Sequence, residues 1–478
     1  MRGKAGDTAM TTVILPSAKV VTKDLQGIGK FPAIIYPVDQ KRMIDLFNEQ
    51  YIDFYDIEVL NVVAYEEYLQ VKRKIGDQKR VNVLKLDELR DIGHTISYSI
   101  HELGLSDDDF LIINFADVAV FEKLDCTVGD RCFYSDEDIS SKWTYFNEQG
   151  GRITTYYDKI DNTNEIDTNH MFIGLFHITR PYTFAQMIDV EDCAKGESDT
   201  LWKALKKYSE LYKMEMIKVD EWFDVGHIDK YYDMQMVVKS RIFNHITIDK
   251  DRGILTKKSD EKDKFIGEIQ WYLKLPSDVE YARPRIFSYS VDYNSPYISM
   301  EYYAYHTLHE LFLLGDLSDE QWTNIFRRIR FILNDFRRYS VKDTDLNGSL
   351  KAMYIDKTLS RIQSMIDDEG FPNFDETLVI NGVSYVPLNQ IYHRIEELTE
   401  KYLLDVAEFH IIHGDLCFSN IMIDPNYSFI KLIDPRGKFG KYDIYGDQRY
   451  ELAKLMHSVN GKYDYIIQDR FSISSMGG

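Results

Sequence analysis

Apolar and polar residues in the first half of the chain alternate between short strand-like runs and helical spacings. Apolar runs extend over Thr11 to Pro16, Asp56 to Val63 and Phe110 to Asp117. Met43 to Phe47, and the stretch from Asp91 towards Leu103, show the spacing of an amphipathic helix. Because strands that alternate with helices form parallel sheets, the pattern predicts an α/β domain with a mostly parallel sheet. Its ligands are expected beyond the carboxyl ends of the strands.

Two further stretches complete this half. Met171 to Phe176 is another apolar, strand-like run. Residues 121–170 are instead rich in Asp, Glu, Asn and Thr. This composition predicts a surface excursion from the sheet that could cover a substrate pocket.

The second half opens with a hairpin pattern. Arg241 to Asp249 alternates as a strand, Lys250 to Gly253 has turn composition, and Ile254 to Lys258 is a returning strand. Helical spacing then predominates over Lys264–Tyr272, Asp319–Tyr339, Lys357–Asp368 and Leu388–Asp405. Since 478 residues are too many for one ordinary core, two or three domains are expected.

Composition narrows the classes of function and the cellular location. The net charge is −21 and the pI is near 5.0, which argues against a nucleic-acid partner because phosphate binding needs a basic face. Such a charge suits a cationic or neutral substrate. The 4 cysteines show neither zinc spacing nor a disulfide pattern. No apolar run reaches the roughly 18 residues of a membrane span, and no secretory signal opens the chain, so a cytoplasmic location is expected.

The most informative stretch is His413 to Asn420, together with Asp434 at the end of the next apolar run. The order predicts a strand, a catalytic loop, a second strand and a metal-binding acid. Asp415 and Asn420 stand five residues apart, the interval between the base and the metal-holding amide of kinases. The alternative interpretation is a chance His-Gly-Asp turn in which Asn420 caps the next segment.

With His-Gly-Asp in place of His-Arg-Asp, this stretch resembles the aminoglycoside phosphotransferase and choline kinase family of small-molecule kinases. The resemblance implies an α+β bilobal, protein-kinase-like domain with an amino-terminal lobe at 236–305 and a carboxyl-terminal lobe at 306–478. It implies that Asp415 orients the hydroxyl of a small alcohol or sugar. Asn420 and Asp434 would then hold Mg²⁺ on the phosphates of ATP.

The same resemblance assigns the nucleotide-binding residues. Lys257 would grip the ATP phosphates and pair with Glu268 from the following helix. Lys257 is chosen over Lys258 by the resemblance alone, because sequence does not fix the strand register. Backbone groups near Glu301 to Tyr303 would bind the adenine edge.

Pieces of the first half resemble the sugar-phosphate nucleotidyltransferases, over roughly residues 11–235. Lys30, in a Lys-Phe-Pro run, stands for the family's Lys-Pro pair that reaches the phosphates. Asp117 follows a central strand, as the family's metal-binding Asp does. Glu221 to His227 looks like the closing Trp-x-Asp-x-Gly-Thr segment and supplies Asp224. The resemblance implies Mg²⁺ between the two acids and CTP or another NTP as cosubstrate.

One departure from that family bears on activity. Ser17-Ala18-Lys19-Val20-Val21 stands where the family has a glycine-rich G-x-G-T-R loop. Glycines let backbone amides approach phosphate closely, so their loss weakens triphosphate binding. The domain is therefore either active, with Lys19 as a further phosphate ligand, or a domain that kept the fold and lost the chemistry.

Together the two resemblances imply a bifunctional enzyme. It would phosphorylate a small alcohol or sugar with ATP and couple the phosphomonoester to a nucleotide, giving an NDP- or CDP-activated precursor for surface polysaccharide. The main alternative is a kinase whose first domain is inactive and serves in binding or assembly. A non-catalytic binding protein and an antibiotic-resistance kinase are further alternatives. An oligomer is compatible with each of them.

Overall fold

The computed structural model describes residues 11–38, 40–76, 78, 80–192, 199–228, 230–235, 246–343, 345–367 and 375–472. The chain forms two compact units. The first comprises Met1–Lys239 and Leu314–Asp316, and the second comprises Ser240–Leu313 and Leu317–Gly478. Cys193, the start of the predicted strand at Arg241 and the residues directly after the predicted boundary at 235 lie outside the described residues.

The first unit combines strands and helices in alternation. Its helices are α1 (Met43–Phe47), α2 (Tyr68–Ile75), α3 (Ile92–Glu102), α4 (Pro181–Asp192) and α5 (Thr200–Leu211). Its strands are β1 (Thr11–Pro16), β2 (Pro37–Val38), β3 (Lys41–Arg42), β4 (Leu60–Ala64), β5 (Val81–Lys85), β6 (Phe110–Asn114), β7 (Val118–Val120), β8 (Arg131–Asp136), β9 (Thr144–Glu148), β10 (Ile153–Asp158), β11 (His170–Ile178), β12 (Glu215–Lys218) and β13 (Trp222–Asp224).

The main sheet of this unit has the order β10-β9-β11-β6-β1-β4-β5; in addition, β8 pairs with β11, and β12 pairs with β8. Strands β6, β1, β4 and β5 are parallel, as the sequence pattern predicts, whereas β11 runs antiparallel to β6. The central strands are buried on both faces: Ile14 packs with α3 and α4, and its neighbour Val13 is equally inaccessible. Burial on both faces explains their uninterrupted apolar sequence.

The predicted surface excursion over residues 121–170 is wrong. This stretch supplies β8, β9 and β10 to the sheet, where β8 pairs with β11 and β9 pairs with β10. Cys132, Phe133, Tyr145 and Phe146 are fully buried there. Many of the neighbouring positions are Thr, Asn, Asp and Glu, so composition alone suggests a loop, but tertiary pairing overrides it.

The second unit begins with strands and continues mostly as helices. Its helices are α6 (Lys262–Lys274), α7 (Leu308–Leu314), α8 (Asp319–Arg337), α9 (Leu346–Lys351), α10 (Lys357–Asp367), α11 (Leu388–Tyr392), α12 (Ile395–Tyr402), α13 (Gln448–Val459) and α14 (Tyr463–Ile467). Its strands are β14 (Ile246–Asp249), β15 (Ile254–Lys258), β16 (Ile286–Ser290), β17 (Tyr297–Glu301), β18 (His306–Thr307), β19 (Ser340–Val341), β20 (Leu378–Ile380), β21 (Val383–Tyr385), β22 (Phe409–Ile411), β23 (Ile421–Ile423), β24 (Ile430–Leu432) and β25 (Tyr445–Gly446).

Antiparallel pairing forms four small sheets among the described residues of this unit. The first has the order β14-β15-β17-β16, two have three strands, β18-β23-β24 and β19-β22-β25, and the last is the pair β20-β21. The longest helix, α8, starts with a capping box between Ser318 and Gln321. The helix predicted over Leu388–Asp405 is in fact two short helices, α11 and α12.

Among the described helices, none combines the length and the apolar character that crossing a bilayer requires. Cys126, Cys132 and Cys417 are free thiols.

Candidate functional site

The predicted catalytic loop of the second unit lies between β22 and β23. His413 is buried, and burial lowers its pKa to about 4, so the imidazole is neutral. The Asp415 N–H donates to Nδ1 of His413 at 3.3 Å, which places the ring proton on Nε2, 2.9 Å from the carbonyl oxygen of Ile433. His413 therefore ties the loop to the strand that leads into Asp434.

Backbone geometry explains the glycine of the His-Gly-Asp motif. Gly414 has a φ of +81°, and a Cβ added there would lie 2.9 Å from Cβ of Arg436. A larger side chain would be strained at this φ and would also clash. The Gly414 N–H donates to Oε1 of Glu451 at 2.8 Å, while the His413 N–H donates to Oε2 at 2.9 Å.

One face of α13 holds this loop, and its residues were missed at the level of sequence. Glu451 is fully buried, Lys454 Nζ lies 2.6 Å from Oδ1 of Asp415, and Ser458 Oγ accepts from the Phe418 N–H at 3.2 Å. Burial raises the pKa of Glu451 to about 7, although the two backbone donors oppose this. The sequence does contain one indication of their role, because these polar residues are three and four positions apart and so lie on one helical face.

The structure brings Asn420 and Asp434 to the ends of two paired strands. β23, which follows Asn420, is antiparallel to β24, and the Ile433 N–H donates to the backbone oxygen of Asn420 at 3.0 Å. Nδ2 of Asn420 donates to the carbonyl oxygen of Asp415 at 2.9 Å, so its Oδ1 remains an acceptor. Asp434 is exposed and has a φ of +55°, in the left-handed region.

Lys257 contacts two of the other predicted site residues. Its Nζ lies 3.0 Å from both carboxylate oxygens of Glu268 and 2.6 Å from Oδ1 of Asp434. Burial acts to lower the pKa of Lys257, but the Asp434 and Glu268 carboxylates outweigh it and raise the pKa, so the ammonium stays charged. Lys258, the neighbouring residue, is exposed. The pairing with Glu268 therefore falls on Lys257.

The predicted adenine-binding segment lies at the end of β17. The Glu301 N–H donates to the carbonyl of Arg285 and the Tyr302 N–H donates to that of Gly253, both at 2.8 Å. Tyr303 donates its hydroxyl to Glu301 at 2.7 Å. These two amides are committed within the fold, so adenine contacts would use other backbone groups of the segment.

A cavity of about 890 Å³ opens in this unit and is lined by residues of the candidate site. Lys257, Glu268, Asp415 and Lys454 belong to its wall. Its size falls in the range of ligand sites. The cavity therefore combines these four charged groups in one accessible volume, whereas Asn420 and Asp434 are not among its lining residues.

The acids predicted in the first unit also come together. β13 pairs antiparallel with β7, with Asp224 opposite Val118. A Cβ added at Gly226 would lie 2.8 Å from Oδ1 of Asp224 and 3.2 Å from Oδ2 of Asp117. Burial, and then the Asp224 carboxylate, raises the pKa of Asp117 to about 7. His227 Nδ1 lies 2.8 Å from Asp224, and this hydrogen bond raises the pKa of His227.

The loop that replaces the glycine-rich motif is held by the fold. The Ser17 N–H donates to Val63 and the Val21 N–H to Phe31, while the Val20 N–H donates to Oε2 of Glu66 at 2.8 Å. These amides are therefore not free to bind phosphate.

Basic side chains beside this loop could take over that role. A cavity of about 390 Å³ next to the loop is lined by Asp117, Lys19 and Lys159. Lys30 is exposed and is not among its lining residues.

The two candidate metal sites are an amide–carboxylate pair in the second unit and a pair of carboxylates in the first. Across the described ranges, no group of three or more His, Cys, Asp and Glu side chains is placed to hold a metal ion. Mg²⁺ is usually bound in proteins by one or two carboxylates together with substrate phosphates. Asn420 with Asp434, and Asp117 with Asp224, offer the oxygen donors that such binding needs.

The chain is similar to several solved nucleotidyltransferase structures. CTP:phosphocholine cytidylyltransferase from Streptococcus pneumoniae shares 13% identity, with 48% of this chain and 99% of that chain covered and a TM-score of 0.38. Inositol-1-phosphate CTP transferase from T. maritima shares 14% identity, with 48% and 97% covered and a TM-score of 0.38. A nucleoside-diphosphate-sugar pyrophosphorylase from Vibrio cholerae shares 12%, with 47% and 99% covered and a TM-score of 0.37.

The N-terminal half is the part of the chain whose fold resembles these structures. No protein-family model matches the sequence, and no curated protein matches it significantly.

Proposed function

We propose that the chain is a bifunctional cytoplasmic enzyme. Its second unit phosphorylates a small alcohol or sugar with ATP, and its first unit couples the phosphomonoester to a nucleotide such as CTP. The observation that carries the proposal is the contact of the Lys257 ammonium with both Glu268 and Asp434. A phosphotransferase of the kinase type needs this lysine, this glutamate and this aspartate in place together.

In the kinase step, the acceptor hydroxyl oxygen bonds to the γ-phosphorus of ATP and its proton passes to Asp415. The bond from the γ-phosphorus to the bridging oxygen breaks, and ADP keeps the electron pair. Lys454 positions Asp415, and Lys257 binds the phosphates. Mg²⁺ bound by Asn420 and Asp434 would neutralise phosphate charge. Positioning and charge neutralisation supply most of the rate in such a loose transition state.

The close approach of Asp117 and Asp224 supports nucleotidyl transfer as the second activity. A phosphomonoester oxygen would bond to the α-phosphorus of the nucleotide, and pyrophosphate would leave with the electron pair of the broken bond. Two adjacent carboxylates, one with a raised pKa, would hold a cation. This cation would neutralise the negative charge of the phosphomonoester and of the nucleotide as they approach each other. Lys19 and Lys159 are the basic groups at hand, and Lys30 stays a prediction.

A specific observation favours the alternative of a kinase-only enzyme. The amides of Ser17, Val20 and Val21 are already bonded within the fold. A triphosphate would therefore lack the backbone cradle that a glycine-rich loop provides. In that case the first unit serves in binding or assembly.

A product screen distinguishes these functions. The full chain is incubated with ATP, Mg²⁺ and a panel of small alcohols and sugars, and then with each of the four NTPs. ADP and pyrophosphate are measured separately. We expect alcohol-dependent ADP, followed by NTP-dependent pyrophosphate. ADP without pyrophosphate would support the kinase-only enzyme, and no alcohol-dependent ADP would contradict the kinase.

A further inference from the structure

A cluster of basic side chains lines the cavity of the second unit beside Asp415. It consists of Lys357, Arg361, Arg436 and Lys454. The chain as a whole carries a net charge of −21. The cluster is thus a local reversal of charge at the place where an acceptor hydroxyl would have to lie.

Lys357 and Arg361 are four residues apart on α10 and therefore share one helical face. Within 246–343, 345–367 and 375–472, neither side chain forms a salt bridge or a hydrogen bond. Like charges at this spacing destabilise a helix. Their placement on the cavity wall therefore favours a bound anion, because no described carboxylate forms an ion pair with either side chain.

The surroundings of Lys357 point the same way. Burial, and then the positive charges of Arg436, Arg361 and Lys454, lowers the pKa of Lys357 to about 8. The opposing carboxylate is Asp415, which already contacts Lys454 at 2.6 Å. The cluster is mutually repulsive as it stands, and a bound anion would relieve that repulsion.

Arg436 is fixed beside the catalytic loop and forms no salt bridge with any residue that the structure describes. Its N–H donates to the carbonyl of His413 at 3.0 Å, and its Nη1 donates to the hydroxyl of Tyr450 at 3.0 Å. Two other acids of the cavity are engaged elsewhere, Glu268 by Lys257 and Asp443 by Lys274. The guanidinium is therefore available to an incoming oxyanion.

We propose that the acceptor of the kinase site is an alcohol that also carries a phosphate or carboxylate group, and that Lys357, Arg361 and Arg436 bind this group while the hydroxyl faces Asp415. The proposal rests on the kinase function proposed above. Guanidinium groups bind oxyanions through two parallel hydrogen bonds, and a lysine adds a compact charge. An anionic acceptor is the opposite of the cationic or neutral substrate that the net charge of the chain suggests.

Binding of inorganic phosphate tests the anion site without turnover. The full chain is first saturated with Mg²⁺ and a non-hydrolysable ATP analogue, so that the nucleotide phosphates are already in place, and is then titrated calorimetrically with phosphate. We expect saturable binding that the double variant Lys357→Gln/Arg361→Gln weakens at least about tenfold, a loss of two charge-assisted contacts. Lys342→Gln is the matched control, because this lysine is 76% exposed. Phosphate affinity that the double variant leaves unchanged would overturn the proposal.

Turnover of matched alcohols then shows whether the enzyme prefers an acceptor with a carboxylate, with a phosphate, with a cationic group or with no charge. Glycerol, choline, glycerate and glycerol phosphate are compared by ADP release. We expect kcat/KM to favour one of the anionic alcohols, and Arg361→Gln to raise KM for it. If the enzyme prefers glycerol or choline and Arg361→Gln leaves KM unchanged, the anion site is overturned and the kinase function stands. Phosphate binding that depends on the cluster, with no ADP from any alcohol, would contradict the kinase and keep the anion site.

Discussion

The two candidate sites differ in how their charges are compensated. In the second unit, Lys257 lies against Glu268 and Asp434, and Lys454 lies against Asp415. In the first unit, Asp117 has the Asp224 carboxylate as a close neighbour, and its pKa is raised. The opposite charges around Lys257 and Lys454 are therefore paired before any ligand binds, whereas in the first site a cation would favour the ionised form of Asp117.

The backbone around each site shows the same contrast. In the second unit, the buried Glu451 and the neutral His413 hold the catalytic loop in one conformation. In the first unit, backbone amides of the loop from Ser17 to Val21 already donate hydrogen bonds to other residues of the protein. Preorganised groups contribute most to a transition state, so we expect the second site to be the more sensitive to single substitutions.

The largest effect is expected from Asp415→Asn. The substitution keeps the shape of the side chain but removes the proton acceptor, and general-base catalysis typically contributes about 10²–10⁴-fold. Alcohol-dependent ADP release should fall by that factor, while pyrophosphate release from an added phosphomonoester should stay unchanged. Asp319→Asn, on the exposed first turn of α8, is the control. Full ADP release by the Asp415 variant would remove the proposed role of the loop.

A smaller loss of ATP turnover is expected from Lys257→Met. The variant leaves Glu268 and Asp434 without the ammonium they share, and it removes a phosphate ligand. We expect ATP turnover to fall by roughly 10²-fold, with a raised KM for ATP, since charge stabilisation of this kind is commonly worth that much.

Lys258→Met is the matched control for that prediction, because it removes the same charge one residue away on an exposed side chain. Steady-state kinetics at varied ATP measures both variants. Equal losses in the two variants would show that overall charge, and not the position between the acids, matters at this site.

The parts of both sites that follow local sequence order were predictable. Asp415 and Asn420 lie between the short strands β22 and β23, Asp434 follows β24, and Asp117 and Asp224 each lie at the end of a strand or directly next to one in sequence. The glycine of the motif also has its reason in local backbone geometry. Such features are set by neighbours along the chain, which sequence patterns report well.

Residues that act across the fold were not predictable. Glu451 and Lys454 reach the loop from α13, and Lys357 and Arg361 enter the cavity from α10. Their helices look like ordinary amphipathic helices in sequence, so their charged positions resemble solvated surface. Strands β8 and β9 were missed for a related reason, because both pair with a distant strand, β11, and that pairing decides their conformation.

The smallest effect expected concerns the stability of the first unit as pH changes. Burial and the Asp224 carboxylate raise the pKa of Asp117 from its ordinary value of 3.8 to about 7. The folded form therefore binds a proton more tightly than the unfolded form. The stability gained from that proton is complete below pH 4 and is lost as pH rises towards 7, where the carboxylate ionises beside Asp224.

Asp117→Asn removes that ionisation and should stabilise the first unit at pH 8 while leaving it unchanged near pH 4. Because Asp117 is partly accessible, we expect about 1–2 kcal/mol, or roughly 2–8 °C in Tm. Differential scanning calorimetry at both pH values measures the change, with Asp108→Asn on an exposed turn as the control. Mg²⁺ should raise the Tm of the unsubstituted protein at pH 8 more than that of the variant, because a bound cation stabilises the ionised pair. A variant that is less stable at pH 8 would mean that the carboxylates are held by the protein alone, and the first site would then resemble the second in being complete without a ligand.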